Sequence, residues 1–315
     1  MIFTSGGTEA NNQALAGASF LPSAIEHPSI LAISTDQEPA AVNSDGMIDL
    51  DALGKSLERQ RPTTLAVMLA NNETGVIQPI EEVAKIARNA GVRLHVDAVQ
   101  AAGKVPIDFF ELGADTLALS AHKLGGPQGV GALIYRDGSE PKALLKGGAQ
   151  EKRFRPGTEN LPGIVGFGKA AALALEDDDY ANRVGRLRDR LEAEILAFAP
   201  DARLFGKPAE RLPNTLTLAL PAISHDTQLI AFDLAGIAVS AGSACSSGKV
   251  GPSHVLAAMG VPPSQSACAI RISLGWKSQE SDIDRFVTAC VELLDQKARR
   301  TRDTGSFSPE KAVFG

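Results

Sequence analysis

The sequence contains little cysteine and little histidine. Its three cysteines, Cys245, Cys268 and Cys290, lie in unrelated contexts, and its five histidines do not cluster. This pattern predicts neither a disulfide framework nor a metal site, so we expect no metal ion and a reducing, cytoplasmic compartment. The sequence also lacks an apolar run long enough to span a bilayer and a secretion signal at its start. No membrane partner is therefore expected.

Positive charge is not in excess either. Lysine and arginine number 31 against 37 aspartates and glutamates, which gives a net charge of −6. This balance argues against a nucleic-acid partner. The hydrophobic fraction of 44% and the charged fraction of 22% are typical of a globular protein. A chain of 315 residues is long enough for one large or two ordinary domains.

A repeated order of strand, polar segment and helix runs through the first half of the chain. Apolar runs predict strands, and amphipathic stretches predict helices. This order is typical of an α/β domain with a mainly parallel sheet flanked by helices. The predicted strands are residues 2–4, 23–26, 64–70, 92–96, 116–119 and 130–135, and the predicted helices are residues 9–18, 49–59, 79–90 and 109–112.

Polar side chains follow several of these strands. Each one alone is explained by a turn or a helix cap, but ligands of parallel sheets bind outside the carboxyl ends of the strands. A lone lysine is usually a surface residue, whereas a desolvated lysine beside an apolar strand is a candidate nucleophile. The Ser5-Gly6-Gly7-Thr8 turn opens a helix and is either an anion site or a simple cap. The strand-end candidates are His27, Asn72, Asp97, Gln100, Ser120, His122 and Lys123.

The acidic segment 176–179 predicts a domain boundary. We expect a large domain over residues 1–178, a smaller α+β domain over residues 179–300 and a polar, frayed tail over residues 301–315. The smaller domain begins with an amphipathic helix and is expected to continue with strands at 215–220, 237–239 and 269–274 and helices at 226–234 and 280–299.

Two residues of the second domain are candidates for chemistry. Cys245 lies in a run of small residues, SAGSACSSG, which favours an exposed loop and an accessible thiol. Arg271 lies inside an apolar strand and therefore needs an anionic partner. That partner is either a structural carboxylate or the carboxylate of a substrate. Cys268 and Cys290 are expected to be core residues.

Eight stretches, which cover nearly the whole chain in order, resemble the cysteine desulfurases of the NifS/IscS type. These are fold-type I pyridoxal-phosphate (PLP) enzymes within the class V aminotransferase family. The resemblance implies a seven-stranded type of PLP-binding sheet and a smaller C-terminal domain. The stretches are FTSGGTEANN (3–12), EHPSIL (26–31), NNETGVIQPI (71–80), HVDAVQAAGKVPID (95–108), SAHKLGGPQGVGAL (120–133), RPGTENLPGIVG (155–166), SAGSACSSG (240–248) and IRISLG (270–275).

The resemblance also implies a role for each candidate. Lys123 resembles the lysine that binds PLP covalently, Asp97 the partner of the pyridinium nitrogen, and His27 the imidazole that stacks on the ring and shuttles protons. Asn72 and Gln100 resemble side chains near the phenolic oxygen, and Asn72 also lies on the substrate side. The phosphate ligands implied are Gly7, Thr8, Ser120, His122 and Thr158, the last from the partner of a homodimer. Arg271 resembles the substrate carboxylate clamp, and Cys245 the sulfur-accepting nucleophile.

The implied reaction converts L-cysteine to L-alanine and leaves a persulfide on Cys245. The sulfur would pass to an acceptor or iron–sulfur scaffold protein. The family's segment that precedes the FTSG motif is not matched, and the tail at 306–315 shows no scaffold-docking match. Alternatives are another class V enzyme, such as a selenocysteine lyase or an aminotransferase, and an inactive truncated homologue that acts only as an interaction module.

Overall fold

Two β-sheets and the helices that cover them make up the described chain. The computed structural model describes residues 1–34, 37–242 and 251–305, with side chains up to residue 299. The strands are β1 Ile2–Thr4, β2 Phe20–Pro22, β3 Thr64–Met68, β4 Arg93–Asp97, β5 Thr116–Ser120, β6 Gly131–Tyr135, β7 Arg203–Leu204, β8 Thr215–Ala219, β9 Ser240–Ala241 and β10 Ala269–Ser273. The α-helices are α1 Gly7–Leu15, α2 Pro28–Leu31, α3 Leu50–Gln60, α4 Ile80–Asn89, α5 Leu161–Glu176, α6 Tyr180–Phe198, α7 His225–Leu234, α8 His254–Ala258, α9 Pro263–Ser266 and α10 Glu280–Gly305.

The first sheet confirms the predicted α/β class. Its strand order is β1-β6-β5-β4-β3-β2, and β2 to β5 pair in parallel, while β6 pairs antiparallel with both β5 and β1. All five residues of β3 are buried, as a continuous apolar run predicts for a strand covered on both faces. The strands β1 to β5 therefore share one direction, and their carboxyl ends meet at one edge.

The seventh strand that the resemblance implied is reduced to a bridge in the described chain. Ser23 and Ala40 form an isolated parallel bridge beside β2. The Ala40 amide donates to Pro22 O at 2.8 Å, and the Ala24 amide donates to Ala40 O at 2.9 Å. Proline has no amide hydrogen, so Pro22, whose carbonyl faces Ala40, has no donor that could lengthen this ladder. The sheet therefore has six regular strands.

Two expected elements are wrong because local hydrogen bonds redirect the chain. The strand expected at 23–26 lies earlier, at β2, since the Ser23 hydroxyl donates to the Glu26 carboxyl at 2.6 Å and closes a turn. The helix expected at 109–112 is a series of turns. There Asp108 Oδ1 accepts from the amides of residues 110 and 111, an arrangement that competes with a helix.

Small shifts also occur in the second half of the chain. The strand expected at 237–239 forms later, as β9, because the amide of Ile237 still donates to Phe232 O at 2.8 Å and completes the end of α7. Helix α10 continues to Gly305. The start of the tail expected at 301–315 is therefore helical, and residues 306–315 lie outside the described chain.

The second sheet is antiparallel, with strand order β7-β8-β10-β9. Helices α6, α7 and α10 contribute the buried residues that pack on it. In α6 the predicted apolar face, Val184, Leu187, Leu191 and Ile195, is buried. Phe232 and Phe286 stack in this core with their ring centroids 4.6 Å apart. The core holds β10, and with it Arg271, in a fixed register.

The segment after β3 joins the two sheets. The Thr217 hydroxyl donates to Glu73 O at 2.5 Å, and the Leu212 amide donates to Gly75 O at 2.8 Å. Gly75 has a φ of 76°, and a Cβ there would lie 2.9 Å from Thr215 Cβ. Only glycine fits this close approach. The connection brings β10 against the edge of the first sheet.

Of the helices in the described part of the chain, not one combines the length and the apolar character that crossing a membrane requires.

We expect Phe232→Ala to lower the free energy of unfolding by about 3–5 kcal/mol, because it removes a stacked ring and leaves a cavity. Phe110→Ala is the matched control. Its ring is 74% exposed, so its loss should cost less than about 1 kcal/mol. Urea unfolding followed by circular dichroism measures both changes, and equal losses would contradict this description of the core.

Candidate active site

The polar residues predicted at strand ends do meet at one edge of the first sheet. They lie on turns and helices that begin where β1 to β5 end. Gly7 and Thr8 open α1, His27 precedes α2, Asn72 follows β3, Asp97 ends β4, Gln100 lies in the turn after it, Ser120 ends β5, and His122 and Lys123 lie in the 3-10 turn Ala121–Leu124.

Asp97 is a buried carboxylate with defined partners. Its Oδ1 accepts from the Val99 amide at 2.9 Å, and its Oδ2 accepts from Asn11 Nδ2 at 2.7 Å. Burial raises the pKa of Asp97, while these two hydrogen bonds and the charges of His27 and Lys123 oppose the increase. The interactions show that His27 and Lys123 lie within electrostatic range of this carboxylate.

His27 is half-buried and caps α2. The Ser29 amide donates to its Nδ1 at 3.1 Å. An accepting Nδ1 carries no hydrogen, so the proton of the neutral ring lies on Nε2. Burial lowers the pKa of His27, and the charges of Lys123 and His254 lower it further against the opposing effect of Asp97. The ring is therefore neutral near pH 7.

Lys123 is exposed, and the expectation that its amine is desolvated is wrong for the described chain. The residue lies in the 3-10 turn that follows β5, beyond the edge of the sheet. Its neighbour His122 is also exposed, and Nδ1 of that ring lies 2.9 Å from the Ser120 hydroxyl. Partial burial and the charge of Lys123 lower the pKa of His122.

A second lysine, which the motifs did not single out for a role, adds positive charge to the site. Lys104 Nζ donates to Gln100 O at 2.6 Å and to Gln100 Oε1 at 3.2 Å. Burial and repulsion by Lys123 and Arg271 lower the pKa of Lys104 to about 8. Arg271, from the second sheet, thus lies in the same cationic group as Lys123.

Arg271 connects the two sheets at the site. Its Nη1 donates to Asn72 O at 2.8 Å, and its Nη2 donates to Ser240 Oγ at 3.3 Å. These contacts hold the guanidinium beside the backbone of Asn72. The side-chain Oδ1 of Asn72 is buried and has no hydrogen-bond partner among the residues that the structure describes.

The turn that opens α1 is closely packed. A Cβ on Gly7 would lie 2.7 Å from Val99 Cγ2 and 3.6 Å from Ser120 Cβ, so a larger residue would fill this cradle. The amides at the start of a helix have no intrahelical partner. They form a donor site for an anion when the side chains leave room.

An ion pair connects this turn to the loop before α5. Arg155 Nε lies 2.9 Å from Glu9 Oε1. Burial alone would raise the pKa of Glu9, but the hydrogen bonds from Arg155 and Ser5 hold it below its usual value. Thr158 lies on the same loop and is exposed. Together with Ser5 it lines a small cavity of about 110 Å³.

The candidate nucleophile Cys245 lies outside the described residues. Both chain segments that flank it are placed beside the site. Ser240, on β9, contacts Arg271. Ser253, before α8, donates to Glu73 Oε2 at 2.5 Å, and His254 Nε2 donates to Glu26 O at 2.9 Å.

Glu26 carries a second buried carboxyl, which the sequence interpretation did not identify. Its Oε1 accepts from the Ser23 hydroxyl and from the Met68 amide at 2.7 Å. Burial raises the pKa of Glu26 to about 8, and the charge of Asp97 adds to the increase. The carboxyl is therefore mostly protonated at neutral pH.

A layer of hydrogen-bonded residues behind Asp97 and His27 was also missed. It consists of Asn11, Ser29, His95 and Thr116. One sequence signal was available for His95. Alternate residues of a strand share a face, so a histidine two positions before Asp97 lies on the same side of β4.

Comparison with known proteins places this geometry in a family. The family model for class-V aminotransferases matches residues 1–286. A cysteine desulfurase of Sinorhizobium fredii is 44% identical to this chain. The match covers 96% of this chain and 82% of that protein. The chain belongs to the class-V aminotransferases, among the cysteine desulfurases.

Other members of this family agree. The cysteine desulfurase NifS of Azotobacter vinelandii is 41% identical, with 94% of this chain and 77% of that protein covered. The X-ray structure of a NifS-like protein from Rickettsia africae matches with a TM-score of 0.86 and 36% identity, covering 93% of this chain and 81% of that one. The chain spans about four fifths of the length of these relatives.

Cysteine desulfurases of the class-V aminotransferase family use PLP, and the residues of this site fit that cofactor. Asp97 supplies a buried carboxylate for a ring nitrogen. The amide of Asn72 has an unused buried oxygen, and Lys123 supplies an exposed primary amine within range of Asp97. The amides of Gly7 and Thr8, at the start of α1, are donors suited to an anion such as the cofactor's phosphate.

We expect Glu26→Gln to remove one component of the pH dependence of stability. The folded pKa of about 8 lies above the ordinary glutamate value of 4.5. The unfolded chain therefore releases this proton first, and the wild type loses stability as the pH rises from about 4.5 through about 8. Relative to Glu26→Gln, the wild type should lose on the order of a few kcal/mol between pH 5 and pH 8. Urea unfolding at both pH values measures it, and parallel pH profiles for the two proteins would contradict the expectation.

Proposed function

We propose that this chain is a PLP-dependent cysteine desulfurase that converts L-cysteine to L-alanine and transfers the sulfur to Cys245. The observation that carries the proposal is that Asp97, His27 and Lys123 lie together at one edge of the sheet. The chain also matches proteins named cysteine desulfurase over nearly its whole length.

Three residues would hold the cofactor and manage protons. The Asp97 carboxylate would keep a proton on the ring nitrogen, and the Lys123 amine would bind the aldehyde carbon and later take a proton from the substrate Cα. His27, neutral with its proton on Nε2, is suited to proton transfer near pH 7. When bound, PLP supplies an electron sink for the bonds at Cα.

Phosphate binding is proposed for the start of α1 and the end of β5. The amides of Gly7 and Thr8 and the side chains of Thr8, Ser120 and His122 are the candidate donors. The close packing at Gly7 supports a backbone contact there. Gln100 and Asn72 are candidates for the ring's phenolic oxygen, although Gln100 accepts from Lys104 in this structure.

Arg271 would hold the carboxylate of cysteine. Its contacts with Asn72 O and Ser240 Oγ fix the plane of the guanidinium, which favours bidentate binding of a carboxylate. Asn72 would share the substrate side. Its place in the cationic group with Lys104 and Lys123 supports a substrate carboxylate as its partner.

Cys245 would perform the sulfur step. Its thiolate attacks the substrate sulfur, so an S–S bond forms while the Cβ–S bond breaks. The electron pair of that bond stays with the carbon, which takes up a proton and becomes the methyl group of alanine. A persulfide remains on Cys245 for an acceptor or iron–sulfur scaffold protein. The contacts of Ser240 with Arg271 and of Ser253 with Glu73 hold the described residues on either side of this segment beside the site.

The domain division is part of the same proposal. We place the large domain at residues 1–178 and the small one at residues 179–300. The separate cores of the two sheets and the short gap between α5 and α6 support this division. A cytoplasmic location is supported by Cys268 and Cys290, which form no disulfide in the described chain.

A homodimer is proposed in which Thr158 reaches the partner's phosphate site. Thr158 is exposed, and helix α5 directly after it exposes large apolar side chains. Leu161 is 65% exposed, Val165 64% and Leu175 85%. Apolar side chains on this scale are typical of a surface that another chain covers.

We expect Lys123→Ala to lose the visible absorbance band that PLP shows when bound to lysine, and to lose alanine and sulfide formation from L-cysteine. Cys245→Ser should keep the absorbance band and lose sulfide formation by at least about a hundredfold, because only the nucleophile is absent. Cys268→Ser is the control for a buried thiol and should keep both. Sulfide release unchanged in Cys245→Ser would refute the sulfur-transfer role.

For the dimer, light scattering should give twice the monomer mass of 32.9 kDa. Co-expressed Lys123→Ala and Thr158→Ala chains should form mixed dimers with more activity than either variant alone, because one of the two sites then contains both residues. A monomer that binds PLP and turns over cysteine would contradict the shared site.

A further inference from the structure

Asn11 connects the two residues proposed to contact the cofactor ring. Its Nδ2 donates to Asp97 Oδ2 at 2.7 Å and to Ser29 Oγ at 2.9 Å. Ser29 Oγ in turn lies 2.9 Å from His27 Nδ1. Asn11 is 1% exposed, so water does not compete for these contacts. Both hydrogens of one amide are thus directed to the partners of the site.

The orientation of Asn11 is set from behind by His95. His95 Nε2 lies 3.0 Å from Asn11 Oδ1, and His95 Nδ1 lies 2.9 Å from the Thr116 hydroxyl. Because Asn11 Oδ1 can only accept, His95 Nε2 carries the hydrogen, and Nδ1 accepts from Thr116. Complete burial lowers the pKa of His95 to about 3, so the ring stays neutral.

The hydrogen bonds therefore run in one direction, from Thr116 through His95 to Asn11. A reversed amide would place Asn11 Oδ1 against the carboxylate of Asp97, where two acceptors repel. His95 and Asp97 occupy one face of β4, and Asn11 on α1 lies across from both. The sheet and the helix together leave one arrangement in which every polar atom named here has a partner.

We propose that Asn11, oriented by His95, is a positioning residue that keeps Asp97 a hydrogen-bond acceptor and keeps His27 in its Nε2–H form. The inference rests on the proposed function, in which Asp97 and His27 contact the PLP ring. Neither Asn11 nor His95 is proposed to contact the cofactor or the substrate. They act through the orientation and charge of the two residues that do.

The neighbouring residue on α1 provides a matched control. Asn12 Nδ2 donates to Ser29 O at 2.7 Å, so it contacts the same residue through the backbone and does not contact Asp97. Asn11→Ala and Asn12→Ala each remove one amide from the same helix. Only the first removes a hydrogen bond to the ring-contacting residues.

The first experiment titrates PLP into the purified full-length chain, after removal of bound cofactor, and measures affinity by absorbance. Asn11→Ala should bind PLP at least about tenfold more weakly, and Asn11→Asp more weakly still, because a second carboxylate faces Asp97. Asn12→Ala should remain within about threefold of the wild type. At saturating PLP, kcat for Asn11→Ala should fall more than KM changes.

The second experiment uses His95 and covers the case in which the Asn11 variants do not fold. His95→Gln keeps an amide hydrogen that can reach Asn11 Oδ1, whereas His95→Leu removes it at similar size. We expect the Gln variant to recover most of the wild-type affinity for PLP and the Leu variant to lose about tenfold. Circular dichroism of the cofactor-free proteins shows whether each variant is folded.

The outcomes separate this inference from the proposed function. If Asp97→Asn and Lys123→Ala leave PLP binding unchanged, the proposed function is wrong. If those two variants lose binding but Asn11→Ala behaves like Asn12→Ala, the positioning role is wrong and the function stands. Equal affinities for His95→Gln and His95→Leu would also overturn the role of the hydrogen-bond chain.

Discussion

The burial of a carboxylate at the end of β4 is the constraint on which the site depends. A carboxylate removed from water is unfavourable unless donors or positive charges compensate it. Around Asp97 the compensation comes from separate parts of the chain, which are the turn after β4, helix α1, the start of α2 and the turn after β5. The sheet order brings these parts together, so the fold and the electrostatics of the site depend on each other.

The second sheet contributes Arg271, which the segment after β3 helps to position. Arg271 reaches the first sheet because Thr217 and Leu212 bind the segment after β3, where Gly75 allows a close approach. The cationic side chains at the site thus come from both sheets. Burial lowers the pKa of Lys104, and repulsion by Lys123 and Arg271 lowers it further. An anionic substrate or cofactor would relieve that repulsion, which gives the site a preference for negative ligands.

Sequence patterns predicted the elements that depend on burial alone. The continuous apolar run of β3 and the apolar face of α6 formed as expected. The positions of His27, Asn72 and Asp97 at one edge followed from the rule for parallel strands. Side-chain hydrogen bonds decided the failures, as with Ser23 and Glu26 in an expected strand. The side-chain partners of Asn11 come from two other elements, α2 and β4, so no local pattern could predict them.

The bridge beside β2 has a consequence for association between molecules. A regular edge strand exposes a row of amides and carbonyls that can pair with another chain. Here Ala40 forms an isolated bridge beside β2, Pro22 lacks the amide that would lengthen the ladder, and Pro39 lacks an amide on the outer side. The irregular edge therefore protects the sheet from adding a strand of a second molecule. In return, the sheet has one regular strand fewer.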